Sequence, residues 1–368
     1  MKPQTVEAFS ASEVATIGLG PKAKAETLPY VTVVVPCRNE EKHIVRCLES
    51  ILANDYPKER LEILVVDGMS EDGTRAVVKS YGERHGMIRL VDNPEKHIPV
   101  AMNLGIRNAR GETIIKMDAH STYQEDHISL CVAYQEKYEA ENVGGVCKMA
   151  PGADTAVARA IVAGLGHRFG SGNAGIKVGV EKPTWSDTAA FGCFQKELFT
   201  RVGYFDERLL SSSDMDMNQR IRAAGGGILL VPEIVIRYCA DGDLRSFWRH
   251  NFADGVWATY VLKFGSKGWS WRHWAPLGLV MSVLAPLALS VVYPKSWWVS
   301  AIIAGIYAMS SLLVSTQIGR REKDAVLLPL LPLIFGIRHL AHGLGAWFGL
   351  LLAILPGYHW KSRRGMRA

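Results

Sequence analysis

Three polar groups of residues each sit just past an apolar run. Arg38, Asn39 and Glu40 follow VTVVVPC, Asp67 ends LEILVV, and Asp118 and His120 follow TIIKM. In extended backbone, side chains two residues apart lie on one face. Asp118 and His120 therefore suit one divalent cation, and Mg2+ or Mn2+ held by so few protein ligands is completed by substrate phosphates. The same spacing also fits a strand-end aspartate capping a turn beside a surface histidine, and Asp67 alone fits a turn carboxylate. Neither a P-loop nor a G-x-G-x-x-G follows the first apolar run. That disfavours an ATPase or a classical dinucleotide enzyme.

The intervening segments explain how such residues would meet. Residues 30–36, 61–66, 87–91 and 113–117 read as strands, and 40–53, 74–85 and 98–109 read as helices. This alternation predicts a doubly wound half-domain with a parallel sheet, in which ligands bind at the carboxyl ends of the strands. The polar groups collect at those ends. The chain has 368 residues, 48% hydrophobic and 21% charged, and a net charge of +6. It is not a disordered sequence, and the charge is too diffuse to point to nucleic acid. Six scattered cysteines without a C-x-x-C pair argue against a disulfide framework and for a reducing compartment.

The C-terminal third has a different composition. Residues 275–293 and 297–318 carry no charge, and a bilayer core of about 30 Å needs about 20 apolar residues in a helix. Trp271, Trp274, Tyr293, Trp297 and Trp298 flank them as an aromatic belt would. Residues 325–355, with Pro329, Pro332 and then Arg338, His339 and His342, read either as a re-entrant or interfacial hairpin or as a third crossing. Lys263, Lys267, Arg272, Arg320, Arg321 and Lys323, with the basic C-terminus, place the N-terminal domain on the cytoplasmic side of the cell membrane. Residues 1–29 lack an apolar signal-peptide core and read as a flexible tail. The glycine-rich 164–179 reads as a loop, over the acceptor site or plain. Residues 244–260 read as an amphipathic helix, either interfacial or packed in the core.

Four blocks in order, VTVVVPCRNEE (31–41), EILVVDGMSEDGTR (62–75), NLGIRNARGETIIKMDAHS (103–121) and FDERLLSSSDMDMNQRIRAAG (205–225), resemble the family-2 inverting glycosyltransferases of GT-A fold. The DAH triplet and the apolar tail resemble most the membrane-attached, ExoA-like exopolysaccharide enzymes of the succinoglycan type. The resemblance implies an α/β GT-A domain with a mostly parallel sheet, followed by a C-terminal α-helical membrane region. It implies a nucleotide-sugar pocket made by Pro36, Arg38, Asn39, Glu40, Asp67, Asn103 and Asp118, with Asp67 on the base, usually uracil. It implies Mn2+ or Mg2+ on Asp118 and His120, Asp214 as the base that activates the acceptor, and Asp216 and Gly192 as secondary contacts near acceptor and donor sugar.

This sequence departs from the family pattern at Gly68, where a second Asp is usual, at His120 for Asp, and at Ser213 for Glu. The segment from Gln219 to Ala223 lacks the tryptophan of processive synthases, which favours addition of a single sugar. The expected organisation is a tail at 1–29, the GT-A domain at 30–240, an interfacial helical linker at 241–274, transmembrane or re-entrant helices at 275–358, and a basic cytoplasmic tail at 359–368. The expected partners are a UDP-sugar, a lipid-linked saccharide acceptor and the membrane. Two other readings remain: a nucleotidyltransferase, in which Asp214 has no role, and a non-catalytic membrane scaffold with a degenerate site.

Overall fold

A computed structural model describes residues 28–189, 191–265 and 271–355. The expected tails at 1–29 and 359–368 fall almost wholly outside these residues. The described chain forms two compact units, residues 28–148 with 179–238, and residues 149–178 with 239–355.

The first unit is built on one sheet. Strands β1 (Val31–Cys37), β2 (Leu61–Asp67), β3 (Ile88–Asp92), β4 (Thr113–Lys116), β5 (Ser121–Tyr123), β6 (Asn142–Ala150), β7 (Thr184–Trp185), β8 (Cys193–Gln195) and β9 (Ile228–Cys239) lie in the order β3-β2-β1-β4-β8-β6-β9-β5, with β7 on β9. β3, β2, β1 and β4 are parallel, as the alternating pattern requires. β8 then runs antiparallel to β4, and β5 and β7 run antiparallel to β9. The sheet is thus mixed, and the parallel character belongs to its first half.

β1 and β2 are buried along their whole length, as expected of strands covered on both faces. Alternate residues feed two cores. Val31, Val33, Val35, Ile63 and Val65 pack with helices α1 (Ile44–Leu52) and α4 (His127–Tyr138). Val34, Leu64, Val66 and Ile114 pack with α3 (Ile98–Asn108) on the other face. Helix α2 (Thr74–Arg84) follows β2.

The second unit is helical. Helix α5 (Ala156–Leu165) ends just inside the glycine-rich 164–179 that read as a loop, and that region holds α6 (Arg168–Ser171) and α7 (Gly175–Val178). Ala160, Ile161 and Leu165 enter a core with Leu331, Ile334 and Phe335. In the first unit, α8 (Leu198–Val202) and α9 (Ser213–Ala223) precede β9. Helices α10 (Leu244–Tyr260), α11 (Trp271–Leu289), α12 (Trp297–Glu322) and α13 (Leu327–Ile354) complete the second. Residues 244–260, one of whose readings was an interfacial helix, bury Phe247, Asn251, Val256, Trp257 and Tyr260.

Two helices are long and apolar enough to cross a membrane, Pro294–Glu322 and Leu327–Ile354. The first contains the expected span 297–318, the second is the stretch that read as a hairpin or a third crossing, and the first expected span, 275–293, is not among them. The described apolar stretch of the first candidate, His273–Leu289, falls short of that length. The prolines that suggested a break in 325–355 are absorbed by one continuous helix of 28 residues. Pro329 lies in its first turn, where the backbone N–H has no intrahelical acceptor, and Pro332 removes only one hydrogen bond near that end.

The seam between α10 and α13 is made by small residues. A Cβ at Gly345 would overlap the Phe252 carbonyl, one at Gly349 the Val256 carbonyl, and one at Gly255 the His342 carbonyl. The close approach allows Thr259 Oγ1 to donate to the Ala346 carbonyl at 2.6 Å. Such contacts are how apolar helices associate without a hydrophobic driving force. Gly345→Val is therefore expected to destabilise the detergent-solubilised protein by ~1–3 kcal/mol. Thermal unfolding beside wild type measures it, and an unchanged midpoint would show that this seam does not hold the helices.

Candidate active site

The carboxyl ends of β1, β2 and β4 open on one edge of the sheet. β1 ends in a tight corner. Asn39 takes a left-handed backbone (φ 57°), its N–H donates to Ser70 Oγ at 2.8 Å, and its Oδ1 accepts from the Glu71 N–H at 2.9 Å. The Glu40 N–H donates to Thr74 Oγ1 at 2.8 Å. The corners after β1 and β2 are thereby laced together. Pro36 is buried within β1, and Arg38 reaches Glu71 at 3.6 Å.

Asp67 is fully buried and its carboxylate is committed. It accepts from the Ser70 N–H at 3.0 Å, from the Ser70 hydroxyl, and from an Arg75 guanidinium N–H at 2.6 Å. Arg75 also binds Asp92 at 2.8 Å. Asn103, expected in the nucleotide pocket, is likewise spent on protein. Its amide donates to the Phe205 carbonyl and to Glu207, and its oxygen accepts from the Phe205 N–H. It anchors the F-D-E segment instead.

Past β4 the backbone turn at Asp118 is pinned from several sides. Its N–H donates to the Tyr123 hydroxyl at 2.6 Å, and its carbonyl accepts from the Ser121 N–H and from Cys47 Sγ. The half-buried carboxylate stays outside that network. His120 Nδ1 lies 3.8 Å from Glu40 Oε1, and the ring meets Tyr238 edge-on at 4.9 Å. Burial first, and then the nearby charges of Asp118 and Asp72, push the Glu40 carboxyl up to about 7. Like charges so close favour a cation between them.

The donor set of Asp118 and His120, one oxygen and one imidazole nitrogen, fits Mn2+ or Mg2+. Among the described residues no group of three or more His, Cys, Asp or Glu converges on a metal position. The pair therefore fits a cation that shares its shell with substrate oxygens.

Asp214 is brought to the same edge from 98 residues away. Its Oδ2 accepts from Lys116 Nζ at 2.6 Å. Lys116 ends β4 and is 6% exposed. Burial alone would lower its pKa, but the charges of Asp214 and Asp118 outweigh burial and hold it above the ordinary lysine value. Asp214 occupies the second position of α9, where the helix dipole favours a carboxylate. One turn on, Asn218 fixes the helix, accepting from Asn142 at 2.6 Å and donating to Thr188 Oγ1 and the Ala189 carbonyl.

Asp216, expected beside Asp214, sits two positions along, about 200° around the helix. It is bound by Arg220 at 2.9 Å, which in turn donates to the Val202 and Gly203 carbonyls. Its visible contacts are thus structural. Gly192 accepts from the Lys116 N–H at 3.0 Å, and a Cβ there would overlap Asn142 and the Phe194 ring. Asn39, Met69, Phe191 and Ser212, all left-handed and none of them glycine, flank the candidate residues. Strained backbone of this kind concentrates at functional sites.

Residues 32–199 match the family model described as glycosyl transferase family 2. The chain carries a glycosyl transferase family 2 domain. It is 25% identical over 320 residues to a dolichyl N-acetyl-alpha-D-glucosaminyl phosphate 3-beta-D-2,3-diacetamido-2,3-dideoxy-beta-D-glucuronosyltransferase of Methanococcus voltae, covering 83% of this chain and 93% of that one. It is 24% identical over 325 residues to the succinoglycan biosynthesis protein ExoA of Rhizobium meliloti, covering 87% and 94%. Its backbone is similar to mannosyltransferase PcManGT of Pyrobaculum calidifontis, solved with GDP-Man and Mn2+, with a TM-score of 0.56, 19% identity and 94% of each chain covered. The fold is GT-A-like and the chain is a glycosyltransferase. The family match ends before Asp214, whose placement is described by its contact with Lys116. Lys116 was missed in the sequence, because one lysine inside TIIKM reads as the outward residue of a strand.

Proposed function

We propose that the protein is a membrane-attached inverting glycosyltransferase that moves one sugar from a nucleotide-diphosphate sugar, a UDP-hexose by preference, to a lipid-linked saccharide in extracellular polysaccharide synthesis. The observation that carries this reading is the placement of Asp214 at the carboxyl end of β4, beside the strand end that bears Asp118 and His120. One sheet edge thus holds a donor end and an acceptor end. Asp118 and His120 would hold the divalent cation, which supplies a positive charge for the diphosphate as it leaves.

The remaining chemistry falls to side chains. The corner of Arg38, Asn39 and Glu40, braced by Ser70 and Thr74, shapes the nucleotide side. Asp67 holds that corner through Ser70 and Arg75. Asp214 takes the acceptor hydroxyl's proton as that oxygen attacks the anomeric carbon. A single displacement inverts the configuration, and no covalent intermediate or cysteine nucleophile is required.

Two features support a lipid-linked acceptor. The alignments of 320 and 325 residues exceed the first unit and so extend into the helical one. By their names, these relatives act on a dolichyl-linked sugar phosphate and in succinoglycan synthesis. Helix α12 also leaves Ile302, Ile306, Met309, Leu312 and Leu313 uncovered, as a lipid-facing surface would. Arg320, Arg321 and Lys323 support a cytoplasmic α12–α13 connection, on the side where nucleotide sugars are. Holding the enzyme at that leaflet raises the effective concentration of a lipid-borne acceptor.

The test uses membranes containing the full chain, with UDP- and GDP-sugars and Mn2+ or Mg2+. Nucleoside diphosphate release should appear with one donor and should carry label into the lipid fraction. Release without label in lipid would refute the acceptor class, and no release with any donor would refute the reading.

A further inference from the structure

Lys116 interrupts an apolar strand and is buried, an expensive position for an ammonium group unless it is paired and hydrogen-bonded. The structure shows where that charge is spent. Nζ lies 2.6 Å from Asp214 Oδ2 and 6.0 Å from the centre of the Phe191 ring. The lysine's own backbone is fixed on both sides. Its strand is in register with β1, where Lys116 pairs with Val34, and its N–H donates to the Gly192 carbonyl at 3.0 Å. Asn142 Nδ2 donates to Asn218, one helical turn beyond Asp214. The ammonium and the carboxylate are therefore each held by separate rigid elements, and their contact is the one that sets how the carboxylate is turned.

We propose that Lys116 is the positioning residue for Asp214: by occupying Oδ2 it turns Oδ1 toward the acceptor as the oxygen that receives the proton. The proposal rests on the reading of Asp214 as the base. In the step it serves, the acceptor O–H bond breaks and its proton goes to Oδ1. The acceptor oxygen forms the new bond to the anomeric carbon. The bond from that carbon to the phosphate oxygen breaks, with its electron pair leaving on the diphosphate. A charged tether suits this task, because an ionic hydrogen bond is short and directional, and a carboxylate on a free rotamer would present either oxygen or neither.

The experiment compares Lys116→Met, Lys116→Arg, Asp214→Asn and the double variant Lys116→Met/Asp214→Asn, all as full chains in membranes. Turnover, donor KM and nucleotide affinity are measured for each. Lys116→Met should lower kcat by about 100-fold, the size of effect a misplaced group produces. Donor KM and nucleotide affinity should stay within about threefold, because the lysine acts on the acceptor side. Lys116→Arg should recover at least about tenfold of the loss. Adding Lys116→Met to Asp214→Asn should cost less than about threefold further, since both changes remove one device.

If the two losses instead multiply, or if the loss appears in donor KM and nucleotide affinity with kcat held, Lys116 is a donor-binding cation and the proposal is overturned. If Asp214→Asn keeps wild-type turnover, the base reading fails, a result separate from any behaviour of Lys116. Should Lys116→Met alone not fold, the double variant, which removes both charges together, decides against Asp214→Asn.

Discussion

Asp214→Asn is expected to lower sugar transfer by ~10³-fold while nucleotide affinity stays within about twofold. The magnitude follows from the chemistry. A sugar hydroxyl is a weak acid, and its attack on the anomeric carbon needs the proton removed as the bond forms. An amide cannot accept that proton, and Asp214, held by Lys116 at the carboxyl end of β4, is the carboxylate proposed to take it. The same change has a second, smaller consequence. Lys116 keeps an oxygen to donate to but loses the opposite charge. The fold should weaken by about 1–3 kcal/mol, the range for a hydrogen bond to a charged group. Turnover of lipid-linked acceptor, nucleotide titration and thermal unfolding separate these effects. Loss of nucleotide binding in parallel with turnover would assign Asp214 to the donor side instead.

The strand ends were legible because buried parallel strands are written as uninterrupted apolar runs. YVTVVVP and LEILVV leave no choice of face, and the polar residues after them must lie at the sheet's edge. The antiparallel half was not legible. β7 and β8 are two and three residues long, too short for any period to show. The segment 164–179 is partly helical because its Leu165 and Phe169 pack into a core with Leu331, Ile334 and Phe335, far along the chain. Pro329 and Pro332 looked like breakers because their depth within a helix cannot be read before its start is known. Lys116 and Asp214 are a tertiary pair, invisible to spacing. Asp216 and Asn103 carry the right residue type in the right block, yet Arg220 and the Phe205 backbone claim them. Residue type marks who can do chemistry, and packing decides who is left available for it.

That availability argues for a second large effect. Asp118→Asn is expected to cut turnover by ~10²–10³-fold, the size of effect seen when one stabilising group is lost from a developing anion, here the cation that Asp118 would hold, and to weaken Mn2+ activation by ~10–100-fold. Its effect on stability should be smaller than that of Asp214→Asn. Asp118 contributes less than Asp214 to holding the Lys116 ammonium, and it helps to raise the Glu40 carboxyl to about 7, after burial itself. A carboxyl raised in this way contributes stability at low pH that is lost as pH rises from the ordinary carboxyl range through about 7. Removing the Asp118 charge relieves part of that repulsion and gives up part of the attraction to Lys116, so the melting midpoint near neutral pH should change little while activity collapses. A chelator should reduce wild-type activity and leave the residual activity of Asp118→Asn nearly unchanged. Wild-type turnover in the variant with an unaltered Mn2+ dependence would place the cation elsewhere. A half-buried carboxylate held outside the hydrogen bonds of its own turn, at the end of a strand, is best explained by what it binds.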